Sequence, residues 1–349
     1  MGSDFCGENS MMTPESLVLL RNRDYFVEGQ WVVVNPMDAA VFDELGSNVR
    51  GFHQFYDVYQ DAYYNDHTRH EFNTHLSVTE PLDGAVVYMP KVKSHLVMLL
   101  ANLAYVLKPG GQIFIVGHNK SGIKSCGKQL ETVCEHINKV DSAKHCALMV
   151  GTVVSPRVTF CIDDYLTTKT YTLGEQSWQV CGLPGVFSQD ALDQGTRLLL
   201  EHLPSSLQGE VLDFACGAGV IAAYVGMQNP NVRLVLSDVS ALAIYAAQKT
   251  LSANGLSGEV VASNGLDNVA GTYHYIITNP PFHTGVKTDY GIVANFLQQA
   301  GSHLVNQGRL ILVANSFLNY ASSMEQLFTN AHTLAKTNKF AVYTSVKAK

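Results

Sequence analysis

A chain of 349 residues is long enough for two domains of ordinary size. With 46% apolar and 15% charged residues it is ordinary globular material, which excludes disorder as the main state. The formal net charge of −7 excludes a protein that coats nucleic acid with its whole surface.

The acidity is uneven. Residues 1–175 carry 14 basic and 20 acidic side chains, against 9 and 10 in the remainder. A nucleic-acid partner would therefore have to meet a local basic patch. The seven cysteines (6, 126, 134, 146, 161, 181, 216) form an odd set without a C-x-x-C pair. That speaks against a disulfide framework or a zinc ribbon, and reduced thiols fit a cytoplasmic protein. The longest apolar stretch, Leu96 to Leu107, is 12 residues with Asn102 inside it. A spanning helix needs about 20, so no membrane crossing is expected. The first ten residues offer little to pack and lack the basic-then-apolar pattern of a signal peptide.

In the first half, the spacing predicts a strand at Gly84–Pro90, a helix, a glycine stop and a strand at Gly110–Val116. Residues 155–185, rich in glycine and proline, read as a connector between domains at 1–160 and 161–349. Beyond it, a short strand at Glu210–Phe214 runs into Cys216-Gly217-Ala218-Gly219 and a helix to about Met227. A strand at Val232–Leu236, a helix at Ala241–Asn254 and a strand at Glu259–Ala262 follow. The strand Tyr273–Thr278 ends at Asn279-Pro280-Pro281. A helix from about Gly291 to Val305 precedes the strand Arg309–Ala314. The tail, His332–Val346, is β-rich with a break at Thr337-Asn338, which predicts a terminal antiparallel hairpin. Alternating strands and helices predict an α/β fold with a mostly parallel sheet. The first half echoes this plan: Gly84–Pro90 matches Tyr273–Pro280, and Gly110–Val116 matches Gln307–Val313. An internal duplication is the reading, with no Gly-x-Gly after a strand in the first copy and Met89-Pro90-Lys91 in place of Asn279-Pro280-Pro281-Phe282.

The turn at Gly217 and Gly219 lets backbone approach a ligand, since a Cβ there would collide with it. Asp238 ends the next strand, 19 residues on, where a carboxylate can accept both hydroxyl hydrogens of a ribose. Two ligands suit this device. Gly217-x-Gly219-x-x-Ala222 satisfies a dinucleotide fingerprint, and S-adenosylmethionine also has a ribose. Asp213 favours the second modestly, because a carboxylate suits a cationic amino group and repels a pyrophosphate.

Asn279-Pro280-Pro281-Phe282 lies at the carboxyl end of its strand, 41 residues after Asp238 and 60 after Gly219. An exocyclic aromatic amine is a poor nucleophile because its lone pair is delocalised. The Asn279 carboxamide oxygen can accept one amine hydrogen and the Pro280 carbonyl the other, which aims the lone pair at a donor methyl. The prolines hold the backbone by fixed φ, and Phe282 can stack on a flipped-out base. Positioning of this kind can supply up to ~7–11 kcal/mol. His283, adjacent, reads equally as a base or as a solvated loop histidine. Asn264 closes Ala262-Ser263-Asn264, where a contact to the adenine edge is expected.

At these residues the chain resembles the bacterial small-subunit ribosomal RNA guanine-N2 methyltransferase C family, of the class I S-adenosylmethionine-dependent methyltransferases. In the second half the resemblance rests on Leu183–Ser188, Leu192-Asp193, Val211–Val220, Asp238–Ser240, Ala253–Gly255, Ala262–Asn264, Asn279–His283 and Val313–Asn315. In the first it rests on Gln54-Phe55, Val116-Gly117, Asn119–Gly122, Lys124-Ser125 and Asn138–Ala143. It implies two tandem Rossmann-like methyltransferase domains with seven-stranded sheets, the first degenerate and concerned with positioning RNA and supporting its neighbour. It implies S-adenosylmethionine as cofactor, held by Asp213, Ala215, Gly217, Gly219, Asp238, Val239, Asn264 and Asn279, with no metal. It implies that Asn279, Pro280 and Phe282 hold the N2 amine of one guanine of 16S rRNA, in the small ribosomal subunit. Ala215 stands where the family carries glycine, a slight adjustment. Lys120, Lys124, Lys128, Lys139 and Lys144 offer the local basic patch, and monomer is the expected state. The alternatives are a large-subunit guanine-N2 methylase, transfer to a protein glutamine or adenine N6, a non-catalytic ribosome-assembly factor, and, least supported, a nicotinamide dehydrogenase.

Overall fold

The computed structural model describes residues 12–187, 190–281 and 289–348. The chain divides into two units, residues 1–165 and 166–349.

In unit 1, Thr13 caps helix α1 (Pro14–Arg21): its side chain accepts from the Ser16 N–H, and Pro14 opens the helix, where a missing donor costs nothing. The uninterrupted apolar run of β1 (Trp31–Val34) is buried throughout, as a central parallel strand requires. The elements that follow are β2 (Val49–His53), α2 (Tyr56–Asn65), β3 (His70–Phe72), β4 (Leu82–Tyr88), α3 (Lys93–Val106), β5 (Leu107–His118), α4 (Gly127–Leu130), β6 (Cys134–Ala143) and β7 (Cys146–Val153). The strands order as β3-β2-β1-β4-β5-β7-β6, with β5, β7 and β6 antiparallel. The apolar stretch at 96–107 is a buried helix running into a strand. Its Asn102 is satisfied by both backbone groups of Leu76, at 2.8 and 3.0 Å. Among the described residues, no helix is long and apolar enough to cross a membrane.

Unit 2 opens with a hairpin, β8 (Thr167–Leu173) and β9 (Gln176–Gly182), then α5 (Gln194–Glu201). The sheet elements are β10 (Glu210–Phe214), α6 (Val220–Gln228), β11 (Arg233–Asp238), α7 (Ala241–Ala253), β12 (Gly258–Ala262), β13 (Tyr273–Thr278), α8 (Asp289–Ser302), β14 (Leu304–Asn315), α9 (Tyr320–Phe328), β15 (His332–Lys336) and β16 (Phe340–Val346). Their order, β12-β11-β10-β13-β14-β16-β15, repeats that of unit 1 strand for strand. The terminal hairpin is antiparallel, as the tail predicts.

Three local expectations are corrected. The stretch read as a connector contains the β8–β9 hairpin, which is tied to α7: the Cys181 N–H donates to Thr250 Oγ1 at 2.9 Å, and Asn254 bonds both backbone groups of Gln179 at 2.8 Å. The helix expected to reach Val305 ends at Ser302, because Leu304 already pairs with Tyr273 before the ladder shifts register. Helix α9 adds an element to the predicted order between β14 and the terminal hairpin; it buries Tyr320, Met324 and Phe328 at helical spacing.

The ladders align the two units residue for residue. Val34 pairs with Phe52 and Val87; Phe214 pairs with Ser237 and Thr278. Asn35 thus occupies the place of Ala215, His53 that of Asp238, and Tyr88 that of Asn279. Asn35 and Ala215 even share a left-handed backbone, with φ of 52° and 54°. In unit 1 this edge is filled by side chains. Gln54 and His95 are buried, and Gln54 Oε1 is bonded by Asn35 Nδ2 at 2.8 Å and His95 Nε2 at 2.7 Å.

Six described cysteines are free; Cys161 is exposed and the other five are buried.

Candidate active site

Strand β10 is where the order of the unit 2 sheet reverses, with β11 on one side and β13 on the other. Crevices at the carboxyl ends of strands beside such a point are where open α/β sheets take ligands. Four adjacent strands end there in parallel: Ala262 pairs with Asp238, and Phe214 with both Ser237 and Thr278. Across this edge, in spatial order, stand Asn264, Asp238, the glycine turn and Asn279.

The turn is built by backbone. The Cys216 N–H donates to the Ser237 carbonyl at 2.9 Å, and Gly219 N–H to the Cys216 carbonyl at 2.8 Å. Gly219 has φ +78°, and a Cβ there would meet Ala247 of α7 at 3.3 Å. That glycine serves close packing. Gly217, at φ +52°, differs: a Cβ on it would meet nothing within 4 Å. It faces open space, the cradle that a ligand needs.

Asp238 closes one side. Its Oδ2 accepts from the Gly217 N–H and its Oδ1 from the Ser240 N–H, both at 2.9 Å. The Val239 N–H also supports its charged form, and with about four acceptor sites a carboxylate bonded to three backbone donors keeps room for a ribose hydroxyl. Burial raises its pKa, against the backbone donors that hold the charged form. Val239 is partly exposed beside it, and Asn264 is exposed beyond the end of β12. The Ser240 side chain caps α7 by accepting from the Ala243 N–H.

Asp213 lies beneath the turn and not on its open side; it is 1% exposed. Its Oδ2 accepts from the Ala222 N–H at 3.0 Å, pinning α6 to β10. Its Oδ1 is buried without a hydrogen-bond partner among the described residues. Burial, with a lesser contribution from the charge of Asp238, pushes its pKa up to about 8. Cys216 is held as a neutral thiol by burial and by both carboxylates. An unpaired buried acid under a glycine cradle suits a ligand bearing positive charge, which S-adenosylmethionine has.

On the other side, Thr278 donates to the Phe214 carbonyl at 2.7 Å and locks β13 to β10 at its last residue. Phe214 stacks on Phe296 of α8, with centroids 4.3 Å apart and an interplanar angle of 13°. Asn279 is partly buried, Pro280 buried and Pro281 exposed. Phe282 and His283 lie outside the described residues. The Asn279 side chain is held by two residues the sequence reading did not single out for chemistry. Its Nδ2 donates to Thr196 Oγ1 at 3.0 Å and to Asp193 Oδ2 at 3.3 Å. Asp193 is the N-cap of α5, accepting from the Thr196 N–H at 2.9 Å and the Thr196 hydroxyl at 3.2 Å. The only sequence signal was Asp-x-x-Thr before a helix, which marks a cap and not a partner 86 residues away.

Among the described residues there is no group of three or more histidine, cysteine or acidic side chains that could hold a metal ion.

Two family models match the chain: the methyltransferase small domain over residues 177–344 and its N-terminal companion over 16–169. The ribosomal RNA small subunit methyltransferase C of Pseudoalteromonas atlantica is 45% identical over 339 residues, 95% of this chain and 99% of that protein. The chain belongs to the ribosomal RNA small subunit methyltransferase C family. A second member, from Vibrio parahaemolyticus, is 38% identical over 97% of this chain and 98% of its own length. At 20% identity, the 16S rRNA N2 G1207 methyltransferase of T. thermophilus, solved with AdoMet and guanosine, superposes with a TM-score of 0.83 over 97% of this chain and 93% of that one. The methyltransferase C fold of two tandem units is therefore common to both.

Proposed function

We propose that this protein transfers a methyl group from S-adenosylmethionine to the N2 amine of a guanine in 16S rRNA of the small ribosomal subunit, in the cytoplasm. The observation that carries the reading is the Asn279 carboxamide at the end of β13, on the same sheet edge as the open Gly217 cradle and the Asp238 carboxylate. The names of full-length relatives support the small subunit over the large, and rRNA over protein or adenine as the acceptor.

S-adenosylmethionine, when bound, would supply an electrophilic methyl group on a cationic sulfur. Gly217, Asp238, Val239, Asn264 and Ala215 would hold it, with Gly219 shaping the turn and Asp213 compensating its charge from below. The Asn279 Oδ1 accepts one hydrogen of the guanine amine and the Pro280 carbonyl the other. Two acceptors draw the nitrogen toward tetrahedral geometry and direct its lone pair. The methylated nitrogen is cationic, so its proton leaves to solvent without a strong protein base. Phe282 is assigned to stack on the base. Unit 1, whose corresponding edge is filled by Gln54 and His95, positions RNA instead. Its Lys120, Lys124, Lys128, Lys139 and Lys144 are all exposed, and lysines of this kind contact phosphate in a salt-dependent way. The enzyme acts as a monomer.

The test is incubation with labelled donor and small subunits, large subunits or naked rRNA, followed by nucleoside mass analysis. N2-methylguanosine in 16S rRNA from small subunits is expected, and label in protein or in the large subunit would overturn the reading. Asn279→Ala abolishes transfer while cofactor binding by calorimetry survives. Asp238→Ala weakens cofactor binding instead.

A further inference from the structure

We propose that Asp193 and Thr196 are positioning residues that fix which end of the Asn279 carboxamide faces the substrate. The inference rests on the role of Asn279 proposed above. An asparagine amide presents an oxygen on one side and a nitrogen on the other, and the two orientations have nearly the same shape. Only the oxygen can accept a hydrogen from an amine; the nitrogen would oppose it with like-signed hydrogens.

The network on α5 removes this ambiguity. Asp193 is an acceptor-only carboxylate, and its Oδ2 takes the Thr196 hydroxyl hydrogen at 3.2 Å. That commits the Thr196 oxygen to accept. Asn279 Nδ2 then finds two acceptors, at 3.0 and 3.3 Å. Turning the amide over would bring Oδ1 against both oxygens, with a hydrogen bond lost and a carboxylate left facing a carbonyl. Oδ1 is thereby held away from α5, and it takes no hydrogen bond from any described residue. The Asp193 charge also polarises the amide, making Oδ1 a stronger acceptor. The same arrangement sets chemical choice: it selects an amine donor and rejects an acceptor such as the adjacent ring nitrogen N3 of guanine.

Unit 1 supplies an internal comparison. Helix α1 is capped by Thr13 as α5 is by Asp193, and its Ser16, bonded to the Tyr88 hydroxyl at 2.7 Å, stands where Thr196 holds Asn279. The Ser16 hydroxyl donates to Asp38 Oδ2 at 2.6 Å, so its oxygen likewise accepts, here from the Tyr88 hydroxyl. The link from helix start to strand end and its one-way polarity are thus shared architecture, whereas unit 2 applies them to a side chain with two distinguishable ends.

Asp193→Asn is the discriminating variant, because asparagine caps a helix as well as aspartate yet offers the Asn279 amide a donor or an acceptor. Steady-state methylation of small subunits is measured together with cofactor affinity and thermal midpoint. Asp193→Asn is expected to lower kcat about tenfold or more, the loss of one oriented hydrogen bond, with KM, cofactor affinity and thermal midpoint unchanged. Thr196→Val is expected to lose kcat similarly, and Thr196→Ser to restore it. Asn279→Ala is run in parallel. If it is inactive while Asp193→Asn stays within about twofold of wild type, or if serine rescues no better than valine, the positioning role is wrong. If kcat falls only together with cofactor affinity or thermal midpoint, the residues are structural and the role is again wrong. If Asn279→Ala is itself active, the catalytic reading of Asn279 fails instead.

Discussion

Ala215 holds a backbone conformation with φ of 54° between β10 and the glycine turn. Its β-carbon makes that conformation cost about 1–2 kcal/mol, more than the ~0.4–1 kcal/mol that glycine loses through a freer unfolded chain. Ala215→Gly is therefore expected to stabilise the protein by about 0.5–1 kcal/mol, read from the denaturation midpoint, with cofactor affinity retained. Asp213 carries a second prediction. With its pKa raised to about 8 by burial, the folded chain binds a proton that the unfolded chain releases near the ordinary carboxylate range. The contribution of Asp213 to cofactor-free stability is thus full below that range and lost as pH rises through about 8. A cationic ligand over the turn favours the ionised form. S-adenosylmethionine binding should therefore release a proton near neutral pH and tighten between pH 7 and about 8. Calorimetry in two buffers of different ionisation enthalpy measures the proton, and Asp213→Asn should abolish both the release and the pH dependence.

Elements set up this chemistry through a few contacts at their ends. Helix α8 reaches the site through Phe296, 2% exposed and stacked on Phe214. Phe296→Ala should cost about 3–5 kcal/mol by leaving a cavity, measured by chemical denaturation. The strands that carry the site were legible because their signals are local. Glu210–Phe214 and Tyr273–Thr278 are short apolar runs ended by turn chemistry, and both strands have those bounds in the structure. Asn279 was legible because proline follows it at a strand end. What stayed hidden depends on distant partners. The α5 cap was invisible as part of the site, since nothing near Asp193 in sequence names Asn279. In unit 1 the short β1, β2 and β3 strands (four, five and three residues) give too little periodicity to read. The deep burial of Asp213 was likewise unreadable, because a carboxylate at the end of a strand can face either the crevice or the helix beneath it.

At the scale of the molecule, two sheets of identical strand order have taken different occupants at the same edge. One edge holds a side-chain network around Gln54; the other is left open at Gly217. If unit 1 handles RNA, replacing Lys120, Lys124 and Lys144 with alanine should weaken small-subunit binding, and the slope of log affinity against log salt should fall by about one per lysine that contacts phosphate. Cofactor affinity should not change. The distribution of thiols provides the tool for this measurement. Cys216, sealed between two acids, and the other buried sulfurs will resist maleimides, while Cys161 stands exposed five residues before unit 2 begins. Among the described residues it is therefore the one sulfur at which a fluorophore can be attached without disturbing either sheet, and a dye there would report subunit docking independently of turnover.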